Sequence, residues 1–310
     1  MSNAILFLRA QTAMHPGAGT SVGAIDLPIQ RERFTGWPIV QGSSIKGVLR
    51  DRYRASLVSG GDASTSEAAD NHKDVTTLFG ADTNHEDHAG AVSVTDARVL
   101  AFPVRSAKGV FAWATCPAAV ARLLQDLAMV GHKPPITHLD DIADDRAALP
   151  QPAQALLLLP QNRLILEDLL FTLEEAQTKG ITELAKWLMP RIGDGAPLHN
   201  PENRLVLVSD NAFTHYVRHT TELVTRIRLE YKTKHVVKGA LFTLELIPAE
   251  TLLYSALLIE SPRGGSMNLK PAEMCTNLHD VLNDKLLQIG GEETTGKGWC
   301  RARIDTGVAK

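Results

Sequence analysis

His15-Pro-Gly-Ala-Gly-Thr-Ser-Val-Gly-Ala-Ile-Asp-Leu-Pro-Ile-Gln-Arg-Glu-Arg33, followed after eight residues by Gly42-Ser-Ser-Ile-Lys-Gly-Val-Leu-Arg50, decides how this chain is organised. The small residues from Pro16 to Gly23 suit a loop whose turns would obstruct larger side chains. Ile25-Asp-Leu-Pro28 reads as extended, because a residue before proline avoids the helical region. Gly42-Ser-Ser44 offers hydroxyls that cap a helix predicted from about Ile45 to Leu57. Asp26 is then an acid in an apolar, glycine-bounded stretch, and buried acids are rarely left without a partner. The residues leave two readings of it open. It is an ion-pair partner of Arg31 or Arg33, or it is a metal ligand or proton acceptor.

Upstream, Ile5 to Ala13 alternates loosely and predicts a first strand, and Trp37 to Gln41 predicts a strand edge. Downstream, Ser59 to Asn71 reads as a polar loop, Ala91 to Phe102 as a strand and Ala118 to Val130 as a helix. Residues 132–155, rich in Pro and Asp, read as a connector or insertion. Leu166 to Met189 carries helical patterns broken at Gly180. Arg204 to Val208 reads as a short buried strand and Asn211 to Thr220 as a helix. Thr225 to Glu230 with Leu241 to Leu246 predicts a long hairpin with a basic tip. Leu252 to Glu260 predicts a strand, Leu278 to Ile289 a helix and Cys300 to Ile304 a closing strand. The pattern is mixed α+β, without the regular alternation of a doubly wound sheet.

With 44% hydrophobic residues among 310, the chain has material for a large core, and no apolar run reaches the length of a membrane span. The first nine residues lack the features of a signal peptide, and three widely spaced cysteines make neither a disulfide framework nor a metal pair. A reducing cytoplasm fits that cysteine usage. The formal charge of -3 argues mildly against nucleic acid, but its distribution does not. Gln30–Arg54 and Arg218–Lys238 each hold six basic and two acidic residues, whereas residues 61–96 hold eight acids and one lysine. Local patches set phosphate affinity more than total charge does. Arg226 and Arg228 belong to the second basic patch, and the plain alternative for both patches is a solvated face.

Ser43, Ser44 and Lys46 stand at a predicted helix start, where free N–H groups and the helix dipole favour an anion, and Arg50 follows one turn on. Gly290-Gly-Glu-Glu-Thr-Thr-Gly-Lys-Gly298 misses the P-loop by its last residue, since Gly298 replaces the hydroxyl that holds Mg²⁺. An NTPase is excluded, because no room remains downstream for the sheet that a P-loop serves. Gly290, Gly291 and Lys297 instead suit close approach of backbone to a phosphate or to another chain, or a tight connection to the last strand. His85-Glu-Asp-His88, with His72 nearby, matches no zinc spacing and reads as a solvated acidic loop.

The two opening runs resemble the RAMP superfamily, and within it the backbone subunits of the type III-B (Cmr) CRISPR effector complex. Val208-Ser-Asp-Asn-Ala-Phe213, Thr225-Arg-Ile-Arg228 and the closing glycine-rich run agree, in the family's order. The resemblance implies one RAMP domain over residues 1–310: a ferredoxin-like (RRM-like) palm, insertions at about 58–90 and 130–203 forming lid segments, and a β-hairpin thumb at about 218–246. It implies copies of the chain stacked in a helical filament along a guide RNA, alongside other Cmr subunits. Complementary target RNA is then cut at regular intervals in a reaction dependent on Mg²⁺ or another divalent metal.

Asp26 matches the family's catalytic, metal-holding aspartate. His15 matches a loop histidine of less secure role, and Lys46 matches a lysine on the guide backbone. Relatives can carry further acidic residues on the thumb's return strand, where this chain offers only Glu245. A non-catalytic RNA-binding subunit and a nuclease that processes guide precursors are the two alternatives.

Overall fold

The computed structural model describes residues 2–19, 23, 25–80, 88–262 and 269–307. Its elements in chain order are β1 (Ala4–Ala10), β2 (Ile39–Val40), α1 (Gly42–Gly60), α2 (Ser66–Asp70), α3 (Lys73–Phe79), β3 (Val92–Val94), β4 (Ala97–Ser106), β5 (Val110–Thr115) and α4 (Pro117–Met129). There follow β6 (Arg146–Ala147), α5 (Gln151–Leu157), β7 (Arg163–Leu166), β8 (Leu169–Leu173), α6 (Thr178–Ile192), α7 (Pro201–Arg204), β9 (Leu205–Leu207) and α8 (Asp210–His219). The chain ends with β10 (Glu222–Leu229), β11 (Val236–Leu246), β12 (Leu252–Ile259), α9 (Pro271–Leu282), β13 (Lys285–Gln288) and β14 (Trp299–Asp305). The architecture is α+β, as the sequence pattern predicts.

β1 is the spine of a large mixed sheet, with β12 on one side and β14 on the other, both antiparallel. All seven of its residues are buried: six are apolar, as a central strand covered on both faces requires, and Arg9 is buried through ion pairs to Asp194 and Glu250. Its alternation sorts those side chains between two cores. Leu6 and Leu8 join Ile45, Leu49 and Tyr53 of α1 and Leu278 of α9. Ile5 and Phe7 join Leu123 of α4 and Leu184 of α6 on the opposite face. Helices therefore cover the central strand above and below. Among the described residues no helix is long and apolar enough to cross a membrane.

α1 buries Ile45, Leu49, Tyr53 and Leu57 at four-residue spacing. The predicted serine cap is absent: the helix starts at Gly42, Gln41 is its N-cap, and Ser43 and Ser44 lie exposed in the first turn. Asp96 supplies the missing acceptor, taking the Gly42 N–H at 2.8 Å. A β-carbon at Gly42 would stand 2.3 Å from the Val94 carbonyl oxygen, so only glycine allows this approach.

Four further expectations differ. Leu166–Leu173, read as helical, instead closes the β7–β8 hairpin. Gly180 does not break a helix but lies inside α6, where a β-carbon would meet Leu139 at 2.7 Å. The helix expected to reach Ile289 stops at Leu282, and Lys285–Gln288 pairs with β14. The polar segment 59–71 contains α2. Of the His85–His88 run, residues 85–87 lie outside the described residues, and His72 caps α3 by accepting the Asp74 N–H.

Candidate active site at the hairpin base

β10 and β11 form a two-stranded sheet of their own, paired from Glu222↔Leu246 to Leu229↔Val236 with an irregularity between Ile227 and Leu229. The return strand starts earlier than the sequence suggests, so Lys238 lies within it and the tip spans residues 230–235. An isolated hairpin is marginal in water, so the base must be held. Leu244 and Leu246 are fully buried with Ala13, with Val224 packed against them. The outer part stays exposed, including Ile227 and Leu241.

The outer edge of β11 is closed by two N-terminal segments, Met14–His15 and Asp26–Leu27. Thr243 donates its N–H to Asp26 Oδ2 at 2.8 Å and accepts the Leu27 N–H at 3.0 Å. Glu245 donates its N–H to the Leu27 carbonyl at 3.0 Å, and its own carbonyl meets His15 Nδ1 at 2.8 Å. Ile247 and Met14 then exchange two bonds. Asp26, Leu27, His15 and Met14 thus zip the edge that β10 leaves free. Asp26 stands at the open end of that zip, exposed, with one carboxylate oxygen committed to Thr243.

Neither arginine considered for Asp26 pairs with it. Arg31 binds Glu245 at 2.5 Å, and Arg33 is exposed with no side-chain partner among the described residues. His15 is 8% exposed. Because a carbonyl only accepts, its Nδ1 carries a proton, and its Nε2 faces Gly17, where a β-carbon would stand 2.9 Å away. Glu245 is 3% exposed and wholly engaged: Ile29 N–H, the Arg31 guanidinium and the Thr221 hydroxyl all donate to its carboxylate.

The glycine-rich run comes to the same place. Gly291 donates its N–H to the His15 carbonyl at 2.9 Å, and at Gly290 a β-carbon would collide with that oxygen at 2.5 Å. Gly290 also has a φ of 90°, which glycine adopts without strain. Arg226 on the hairpin reaches across to Glu292 in an ion pair and to the Thr295 hydroxyl. Lys297 is half-buried and Arg228 exposed, both without a side-chain partner among the described residues.

The start of α1 joins this site through Gln30, a residue that the sequence reading passed over. Gln30 donates from its side chain to the Gly17 carbonyl at 2.9 Å and accepts the Gln41 N–H at 3.3 Å. Lys46, one turn into α1, has its ammonium held below the usual lysine value by burial and then by the charge of Arg50. Arg50 is turned to Asp70 at 3.6 Å, and Arg54 shares that carboxylate at 2.7 Å. Part of the first basic patch is therefore neutralised from the acidic segment.

Among the described residues no group of three or more His, Cys, Asp or Glu is placed to hold a metal. Asp26 offers one exposed carboxylate with one oxygen uncommitted among the described residues. That donor set suits Mg²⁺, which keeps several waters and takes phosphate oxygens, and not a cation that needs a full protein cage.

The RAMP superfamily model matches residues 7–301. The chain is 35% identical over 295 residues to the CRISPR system Cmr endoribonuclease Cmr4 of Pyrococcus furiosus, covering 94% of this chain and 92% of that protein. It is 24% identical over 308 residues to the CRISPR system CMR subunit Cmr4 of Saccharolobus solfataricus, covering 94% and 93%. The crystal structure of oligomeric Cmr4 from Pyrococcus furiosus superposes with a TM-score of 0.72 at 28% identity, covering 98% of each chain.

Proposed function

The chain belongs to the RAMP superfamily and, within it, to the Cmr4 family, and from that premise we propose that it is a guide-RNA-binding backbone subunit of a type III-B CRISPR effector complex, whose Asp26 cuts complementary target RNA. Its partners are then guide RNA, target RNA, other Cmr subunits and copies of itself in a filament. The names of its relatives support this, one an endoribonuclease and one a structure of oligomeric Cmr4.

One observation carries the catalytic part: Asp26 stands exposed beside a projecting hairpin, fixed by the Thr243 N–H and, among the described residues, without an arginine partner. Cutting RNA needs an attacking oxygen in line with the leaving 5′-oxygen, and A-form pairing does not hold the 2′-hydroxyl there. A nucleotide splayed by the hairpin reaches that alignment, at an unstacking cost of a few kcal/mol offset by pairing on either side. The 2′-oxygen–phosphorus bond forms and the phosphorus–5′-oxygen bond breaks. The 2′-hydroxyl proton leaves to water ordered at Asp26, and the 5′-oxygen takes one from solvent.

Asp26 would hold the divalent ion, which when bound supplies counter-charge for the phosphate. Lys46, Ser43 and Ser44 at the start of α1, with Arg228 and Lys297, face RNA backbone, while base pairing reads the sequence.

The test is cutting of a complementary target by the complex reconstituted with guide RNA. Asp26→Asn is expected to abolish cutting while target binding persists, and chelation of divalent ions to do the same. Normal cutting by Asp26→Asn would overturn the assignment of Asp26, and absence of cutting by the wild-type complex with divalent ions present would leave a non-catalytic RNA-binding subunit. Products ending in 5′-phosphate and 3′-hydroxyl would exclude 2′-hydroxyl attack.

A further inference from the structure

Glu245 makes no bond to Asp26, yet it holds the chain on both sides of the site. Its Oε2 accepts the Ile29 N–H at 3.1 Å, and its Oε1 accepts from Arg31 at 2.5 Å and from the Thr221 hydroxyl at 2.9 Å. Its N–H donates to the Leu27 carbonyl at 3.0 Å and its carbonyl accepts from His15 at 2.8 Å. Residues 27, 29 and 31 all stop on this one side chain and its backbone. Arg31 carries the tie onward, donating to the carbonyls of Gly36 at 2.8 Å and of Val217, in α8, at 2.9 Å. A carboxylate this buried needs its counter-ion, and with three donors on its two oxygens and almost no exposure it is closed to substrate.

We propose that Glu245, with Arg31 as its counter-ion, is a positioning residue for Asp26. It sets the Asp26 segment in register against β11, so that the carboxylate meets the Thr243 N–H and presents its free oxygen at a fixed place. Lost, it lets residues 27–31 shift along the strand edge and Asp26 with them. Strictly a deepening, this rests on the reading of Asp26 as the cutting residue.

Single-turnover cutting by the reconstituted complex, over a Mg²⁺ series and beside target-binding measurements, tests it with three variants. Glu245→Gln keeps an acceptor for Arg31 and Thr221 but loses the charge. It is expected to cut more slowly and to need about 10-fold more Mg²⁺ for half its maximal rate, with target affinity unchanged. Glu245→Ala is expected to lose about 10- to 100-fold in rate. Should it fail to assemble, Glu245→Gln decides alone.

Wild-type rate and Mg²⁺ response in Glu245→Gln overturn the proposal. So does a parallel fall in target binding, which marks a general structural role. Loss at every Mg²⁺ concentration as complete as in Asp26→Asn would make Glu245 itself a reacting group, and also overturns it. Asp26→Asn separates the two readings: if that variant cuts, the function proposed for Asp26 fails whatever Glu245 does.

Discussion

Thr243 donates its backbone N–H to Asp26 Oδ2 at 2.8 Å, and at this bond the closed part of the β11 edge ends. The carboxylate is therefore placed by main chain and stays accessible, whereas Glu245, two residues along the same strand, is buried and spent. The edge of β11 thus brings together two acids in opposite conditions, Asp26 from the N-terminal segment and Glu245 from the strand itself, and only Asp26 is accessible.

The Thr243 bond predicts the effect of a proline. Thr243 turns its N–H away from β10, so Thr243→Pro removes the Asp26 bond without breaking a rung of the hairpin, the one setting in which strands tolerate proline. Cutting should fall about 10-fold or more for a displaced carboxylate. Thr243→Ala keeps the N–H and should cut as the wild type does. Equal loss in both variants would show that the side chain matters and not the amide.

Lys46 predicts a pH dependence. Burial, with Arg50 beside it, holds its ammonium below the ordinary lysine value. The unfolded chain binds that proton more tightly, so the penalty of charging Lys46 is complete at low pH. It fades as pH rises from the lowered value to the ordinary one. A bound phosphate acts in reverse and favours the proton. RNA affinity should therefore fall as pH rises through this window. Lys46→Met should flatten that fall, lower the salt slope by roughly 0.7–0.9 and slightly raise thermal stability at neutral pH. An unchanged slope returns Lys46 to a solvated helix start.

The parts of the fold legible in sequence are those whose pattern is local. β1 is legible because its side chains alternate between two cores, and α4 because one apolar face repeats at helical spacing. Leu166–Leu173 is apolar at both periods, and only its pairing with Arg163–Leu166 makes it a strand. The site divides in the same way. Asp26 is marked by its flanking Gly and Pro, but the duties of Glu245, Gln30 and Asp96 depend on partners from 11 to 230 residues away. Arg50 looked free for phosphate because nothing near it in sequence announces Asp70.

The cysteines predict inertness. Burial pushes Cys300 up to about 12 and raises Cys275. At Cys116 burial, then Asp210, raises the thiol well above its ordinary value. All three are buried and free. At pH 8 the native protein should show almost no reaction with a thiol-specific disulfide reagent, and three equivalents once denatured, because the thiolate is the reactive form. Rapid labelling of the folded chain would show one of them exposed.

Arg226 and Arg228 lie two residues apart on the hairpin but should answer RNA differently. Arg226 is ion-paired with Glu292 of the glycine-rich run, both partners being about a quarter exposed, whereas Arg228 is exposed and unpaired among the described residues. A pair of this kind contributes about 0.2–1 kcal/mol, enough to bias how the hairpin leans but not to hold the fold. Arg228→Ala should weaken RNA binding across sequences and lower the salt slope by roughly 0.7–0.9, as expected for one lost phosphate contact. Arg226→Ala should change that slope less, and should instead speed amide exchange in residues 290–297, which lose their tie to the hairpin. Exchanging the charges in Arg226→Glu with Glu292→Arg should return the exchange rates toward wild type. If Arg226→Ala lowers the slope as much as Arg228→Ala and leaves exchange untouched, then Arg226 gives up Glu292 for phosphate when RNA arrives.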